Sequence, residues 1–172
     1  MHDRYKKRMT LGQDGNALVL LLASIAIIFC IFQFIYLVYY LSGWNEAAYF
    51  KNVYGWFQLP ADPERLMYRP WTILTYMFIH FKVWHLIGNL IWLWAFGYIL
   101  QDLTGNRKLI PIFIYGGLAG ALVFVLSYNL FPRLVPAAPL ATLEGASAGV
   151  MAIAIATTSL LYCESFFFSK RK

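Results

Sequence analysis

Three side chains suited to acyl-transfer chemistry stand in apolar parts of the sequence. Ser147 lies within Gly145-Ala146-Ser147-Ala148-Gly149, and His85 and Asn89 are four residues apart. Residues at that spacing share one face of a helix. A serine hydroxyl can attack a carbonyl carbon, and an imidazole, an amide and the Ser147 backbone N–H can donate hydrogen bonds to the negative oxygen that forms. The sequence therefore predicts an acyl-transfer site if two helices bring these groups to one depth.

Helix packing also accounts for parts of this pattern. Small residues at a spacing of four are common where membrane helices pack, and Gly116 and Gly120 show that spacing with no reactive neighbour. A histidine inside a membrane helix can equally serve as a hydrogen bond between helices. His80 and His85 are five residues apart, but no other convincing ligand lies near them in the sequence. We therefore predict no metal site.

The composition indicates that lipid is the main solvent of this chain. Of its 172 residues, 60% are hydrophobic and 13% are charged, whereas soluble domains have about 45–50% apolar and about 25% charged residues. The net charge is +6, which by itself would suit nucleic acid. The basic residues, however, form clusters separated by long neutral stretches, as in polytopic membrane proteins. We therefore expect a lipid bilayer as partner and no nucleic acid.

The apolar stretches predict an all-α polytopic membrane helix bundle with four transmembrane helices. A basic segment (1–16) and a basic tail (164–172) would flank a transmembrane domain (17–163). An aromatic loop (42–82) would form a helical hairpin half-sunk in the membrane surface. Its apolar stretch from Trp71 to Phe81 is too short to span and would form a short interfacial helix, with the chain breaking near Lys82. The predicted spans are residues 17–41, 83–100, 109–131 and 146–163.

The basic residues also predict the orientation of the chain. With a cytoplasmic amino terminus, the inner segments carry more lysine and arginine than the outer loops, as the positive-inside rule requires. His85, Asn89 and Ser147 would then lie at similar depth, near the outer ends of the second and fourth helices.

Together these residues resemble the rhomboid family of intramembrane serine proteases, of the bacterial type. The similar stretch runs from about Trp71 to Leu160. It contains, in order, Trp71, His80, the His85 and Asn89 pair, Trp92-Leu93-Trp94-Ala95-Phe96-Gly97 and Gly145-Ala146-Ser147-Ala148-Gly149. The combination at matching spacing is more specific than any single motif.

The resemblance implies a function and roles for individual residues. The protein would be a serine endopeptidase that cleaves the transmembrane segments of single-pass membrane proteins, without a cofactor, in the bacterial inner membrane. Ser147 would be the nucleophile, and His85, Asn89 and the Ser147 amide would form the oxyanion hole. The structural residues near the site would be Trp71, His80, Gly145 and Gly149.

The chain departs from the family pattern at the general base. Rhomboids use a histidine on a sixth span, whereas the histidines here are His2, His80 and His85. We therefore expect a carboxyl-terminally truncated form of a rhomboid with a six-helix core. The alternative is a catalytically inactive rhomboid-like protein that binds transmembrane clients. The sequence leaves the oligomeric state open.

Overall fold

The computed structural model describes residues 16–169, with side chains described as far as Cys163. Most of the predicted basic segment (1–16) and the end of the predicted tail (164–172) lie outside the described residues, so the division of the chain into these parts stays a prediction. Along the described residues the helices are α1 (Ala17–Leu41), α2 (Glu46–Asn52), α3 (Pro63–Tyr68), α4 (Thr72–Thr75), α5 (Val83–Thr104), α6 (Leu109–Leu130) and α7 (Ser147–Ser169).

Three of these helices are long and apolar enough to cross a bilayer. They are α1, α5, and α6 together with the 3-10 turn that precedes it, Asn106–Lys108. The fourth long helix, α7, has a shorter apolar part, Ser147–Cys163, so its crossing of the membrane stays a prediction. The predicted all-α membrane helix bundle is confirmed.

Local signals explain where the helices begin and end. The Asn16 side chain accepts a hydrogen bond from the Val19 N–H and so caps α1. Helix α5 ends just before Gly105, which has a φ of 79°. The helix thus extends about one turn past its predicted end near residue 100. Helix α7 likewise continues to Ser169, beyond the predicted end at residue 163.

Helix α7 lies between α5 and α6, packing closely against both while α5 and α6 contact each other little. Helix α1 packs against α5 and, less closely, against α6. The side chains buried between these helices include Ile25, Leu93, Phe113 and Ile153. Helix α7 is therefore held between two other helices.

The segment between α1 and α5 is folded on a second core made of aromatic rings. Phe32, Tyr49, Tyr54 and Ile79 are buried there, with Phe81 and other rings packed around them. Edge-to-face contacts such as Phe32–Tyr54, with centroids 5.4 Å apart, suit the ring quadrupoles. We call this segment, residues 42–82, the interfacial loop.

Part of the interfacial loop differs from its prediction as a short helix over residues 71–81. Helix α4 covers only Thr72–Thr75. The backbone beyond it bonds elsewhere: the Tyr76 carbonyl accepts from the Gly145 N–H, and the Phe81 carbonyl accepts from the Gln33 side chain. These long-range bonds replace the helical ones.

A short antiparallel pair of strands joins the interfacial loop to the segment before α7. Strand β1 (Leu59–Pro60) pairs with β2 (Thr142–Leu143), with Leu59 opposite Leu143 and Pro60 opposite Thr142. The loop is thus attached directly to the residues that lead to Ser147.

Candidate active site

Ser147 is the first residue of α7 and is exposed, whereas Gly145 and Ala146 before it are buried. The first backbone N–H groups of a helix have no partner within the helix and carry a partial positive charge. The Ser147 N–H therefore lies where a negative oxygen is stabilised, beside its own hydroxyl group.

Small residues let α7 approach its neighbours closely. A Cβ at Gly149 would lie 2.5 Å from the Phe113 ring and 2.8 Å from its carbonyl oxygen. On α6, a Cβ at Gly116 would collide with Ala152, and one at Gly120 with Ala148. Gly116 and Gly120 are thus packing residues that let α6 and α7 approach each other closely.

Gly145 occupies a position where only glycine fits. Its φ is +106°, which L side chains rarely adopt, and a Cβ there would lie 2.6 Å from Cε1 and 3.0 Å from Nε2 of His85. The Gly145 N–H donates to the Tyr76 carbonyl oxygen at 2.8 Å. The His85 ring therefore lies against the backbone two residues before Ser147.

His80 joins α5 to the segment that carries Ser147. It is fully buried, and its Nε2 atom is 3.2 Å from the Ala146 backbone nitrogen and 2.9 Å from Nδ2 of Asn89. Because a backbone N–H can only donate, Nε2 is the unprotonated acceptor and the Asn89 amide donates to it as well. Burial, together with the nearby His85 ring, lowers the pKa of His80 to about 4, which keeps the ring neutral.

Asn89 and His85 occupy successive turns of α5 with different exposure. Asn89 is 7% exposed, and its amide has a second hydrogen beyond the one given to His80. His85 is exposed, and its ring meets that of His80 edge-on, with centroids 5.2 Å apart. The structure thus brings His80, His85, Asn89 and Gly145 together beside the start of α7.

Trp71 lies in the interfacial loop and contacts that loop. Its indole Nε1–H donates to the Trp56 carbonyl oxygen at 2.8 Å, and the two rings are stacked. The Arg69 guanidinium lies 3.8 Å from the centre of the Trp56 ring. Trp71 therefore stabilises the loop.

Sequence reasoning missed Glu144, Gln58 and Tyr76. The Glu144 carboxylate accepts hydrogen bonds from the Gln58 side chain and the Phe81 backbone, and the Tyr76 hydroxyl donates to the Gly117 carbonyl oxygen. A signal was present for Glu144, the only acidic residue between Asp102 and Glu164. Among the residues that the structure describes, no group of three or more His, Cys, Asp or Glu could hold a metal ion.

Comparison with known proteins identifies the class. The model of the rhomboid domain matches residues 68–169, which cover both helices of the site. The chain belongs to the rhomboid family and is a multi-pass integral membrane protein.

Similar curated relatives are rhomboid proteases named GlpG from Salmonella newport (strain SL254), Salmonella heidelberg (strain SL476) and Salmonella enteritidis PT4 (strain P125109). Each is 33% identical over 73 residues, which cover 42% of this chain and 26% of the relative. The match thus spans about a quarter of the length of these relatives.

Proposed function

We propose that this protein is an intramembrane serine endopeptidase that uses Ser147 as its nucleophile. The observation that carries the proposal is the contact of the His85 ring with Gly145. This contact brings the motif of His85 and Asn89 next to the motif that contains Ser147, at the start of α7. Membership of a family that includes curated proteases supports the same chemistry.

The proposed reaction begins with attack of the Ser147 hydroxyl oxygen on a peptide carbonyl carbon. The carbonyl oxygen becomes negative and accepts hydrogen bonds from the Ser147 N–H, His85 and the second Asn89 N–H. Preorganised donors of this kind contribute about 3–4 kcal/mol each in a dry site. The C–N bond then breaks, the amine leaves with a proton, and water hydrolyses the acyl-enzyme.

The proton of the Ser147 hydroxyl needs a general base. Within residues 16–169 the histidines are His80 and His85; the first uses Nε2 to hold Asn89 and Ala146, and we assign the second to the oxyanion hole. We therefore assign the base to a histidine carried by a segment or subunit outside these residues.

The proposed substrates are single-pass membrane proteins, cut in or near their transmembrane segments. We propose the bacterial inner membrane as the location, with the amino terminus in the cytoplasm and the Ser147 end of α7 at the outer face. The interfacial loop would then lie at the outer membrane surface, where its tryptophans and tyrosines are favoured.

A serine-reactive fluorophosphonate tests the proposal on protein purified from its native membrane. We expect a covalent adduct on Ser147 and cleavage of a transmembrane reporter, both lost in Ser147→Ala. Ser159→Ala, on the same helix, is the control and should leave both unchanged. Client co-purification that persists in Ser147→Ala, without labelling or cleavage of the wild type, would support the client-binding alternative instead.

A further inference from the structure

Glu144 connects three parts of the chain just ahead of Ser147. Its Oε1 atom accepts from the Phe81 backbone N–H at 3.2 Å, and its Oε2 atom accepts from Nε2 of Gln58 at 2.8 Å. Burial raises the pKa of the Tyr54 hydroxyl, and the nearby charge of Glu144 raises that pKa further. One carboxylate thus contacts two regions of the interfacial loop.

Other hydrogen bonds attach this segment to the interfacial loop on both sides of Glu144, including those from Ala61 to Ala141 and from Arg65 to Pro139. The pairing of β1 with β2 extends over only two residues on each strand, and such a short pair is weak in isolation. The next attachments are the Gly145 and Ala146 N–H groups, which donate to Tyr76 and His80. Glu144 is the charged group between these two sets of bonds.

The partners of Glu144 are also the neighbours of the site. Phe81 directly follows His80 in the chain, and Glu144 precedes Ser147 by three residues. By holding the Phe81 N–H, the carboxylate holds the His80 segment and the Ser147 segment at a set separation. Loss of that bond would leave the part-buried Phe81 N–H without its acceptor, and an unsatisfied donor costs free energy.

We propose that Glu144 is a positioning residue, which clamps the segment before Ser147 to the interfacial loop and thereby sets the place of the serine beside His80 and His85. The expected effect of Glu144 on the reactivity of Ser147 rests on the proposed function. The clamp itself is a matter of structure and is measured separately.

The test compares Glu144→Ala, Glu144→Gln and Gln58→Ala with a control, Asn129→Ala. The control removes a hydrogen bond from α6 to the Ala61 carbonyl of the interfacial loop, and the other bond of Asn129 is to Val125 within its own helix. For each full-length variant, fluorophosphonate labelling gives the maximal rate and the half-saturating concentration. Hydrogen exchange measures the Phe81, Gly145 and Ala146 amides.

We expect Glu144→Ala to lower the maximal labelling rate about tenfold, with the half-saturating concentration unchanged, because the serine is misplaced while reagent access is kept. Exchange of the three amides should rise. Glu144→Gln should recover most of both properties because it keeps an acceptor oxygen for the Phe81 N–H. Gln58→Ala should fall between, and Asn129→Ala should match the wild type.

The two measurements separate the clamp from the chemistry. If the wild type is not labelled but exchange rises in Glu144→Ala and recovers in Glu144→Gln, the clamp stands and the proposed function fails. The inference is overturned if the three amides exchange at wild-type rates in Glu144→Ala. It is also overturned if a labelled wild type and Glu144→Ala react at equal maximal rates, or if Asn129→Ala causes the same loss.

Discussion

Gly145→Ala tests whether the position of the His85 ring affects the reactivity of Ser147 apart from any loss of stability. The new Cβ would lie 2.6 Å from Cε1 of His85, whereas carbon atoms in contact prefer about 3.5–4.0 Å. The ring must therefore move by about 1 Å, away from the place where an oxygen beside Ser147 would meet it. The positive φ of +106° adds backbone strain of about 1–3 kcal/mol.

Gly105→Ala is the matched control for this change. Gly105 also has a positive φ, +79°, but a Cβ there would meet nothing within 4 Å. Both variants should lose about 1–3 kcal/mol of stability through the backbone. Only Gly145→Ala should also slow fluorophosphonate labelling of Ser147, by about 10²-fold, the usual effect of losing one oxyanion donor.

A double-mutant cycle tests the assigned cause. His85→Ala removes the donor, so adding Gly145→Ala should slow labelling little further, because both changes act through one side chain. The measurements are the labelling rates and thermal midpoints of the wild type, the two single variants and the double variant. Equal labelling rates in Gly145→Ala and Gly105→Ala, or fully additive losses in the cycle, would refute the reasoning.

Two further predictions concern packing and pH. Gly116→Ala should destabilise the protein by about 1–3 kcal/mol through the clash with Ala152, and adding Ala152→Gly should restore the thermal midpoint. The control Gly88→Ala, at an open helical position, should not lower the midpoint. If Ala152→Gly does not restore the midpoint, Gly116 and Ala152 are not in direct contact. Because the pKa of His80 is lowered from 6.5 to about 4, the unfolded chain binds more protons between those values, so stability should fall as the pH drops through that window, by roughly 3 kcal/mol at most. His80→Ala should reduce that dependence in unfolding experiments, and an unchanged dependence would mean that another group causes it.

Local patterns in the sequence predicted the four long helices and the candidate reactive groups. The uncharged apolar stretch after Asn16 predicts α1 with its observed bounds, because helix formation depends on neighbours within a few residues. The spacing of His85 and Asn89 likewise places both on one face of α5. Glycines around Ser147 indicate close helix packing, and Gly149 lies against Phe113 of α6.

Only the tertiary structure decided how the candidate site is held together. The bond from Ala146 to His80 joins residues 66 positions apart, and that from Gln58 to Glu144 joins residues 86 apart. No local periodicity encodes such pairs. The end of α4 at Thr75 is of the same kind, because the Tyr76 carbonyl accepts from Gly145 and not from a helical neighbour. A short segment can adopt a helix, a turn or a strand at similar cost, and its long-range hydrogen bonds select among them.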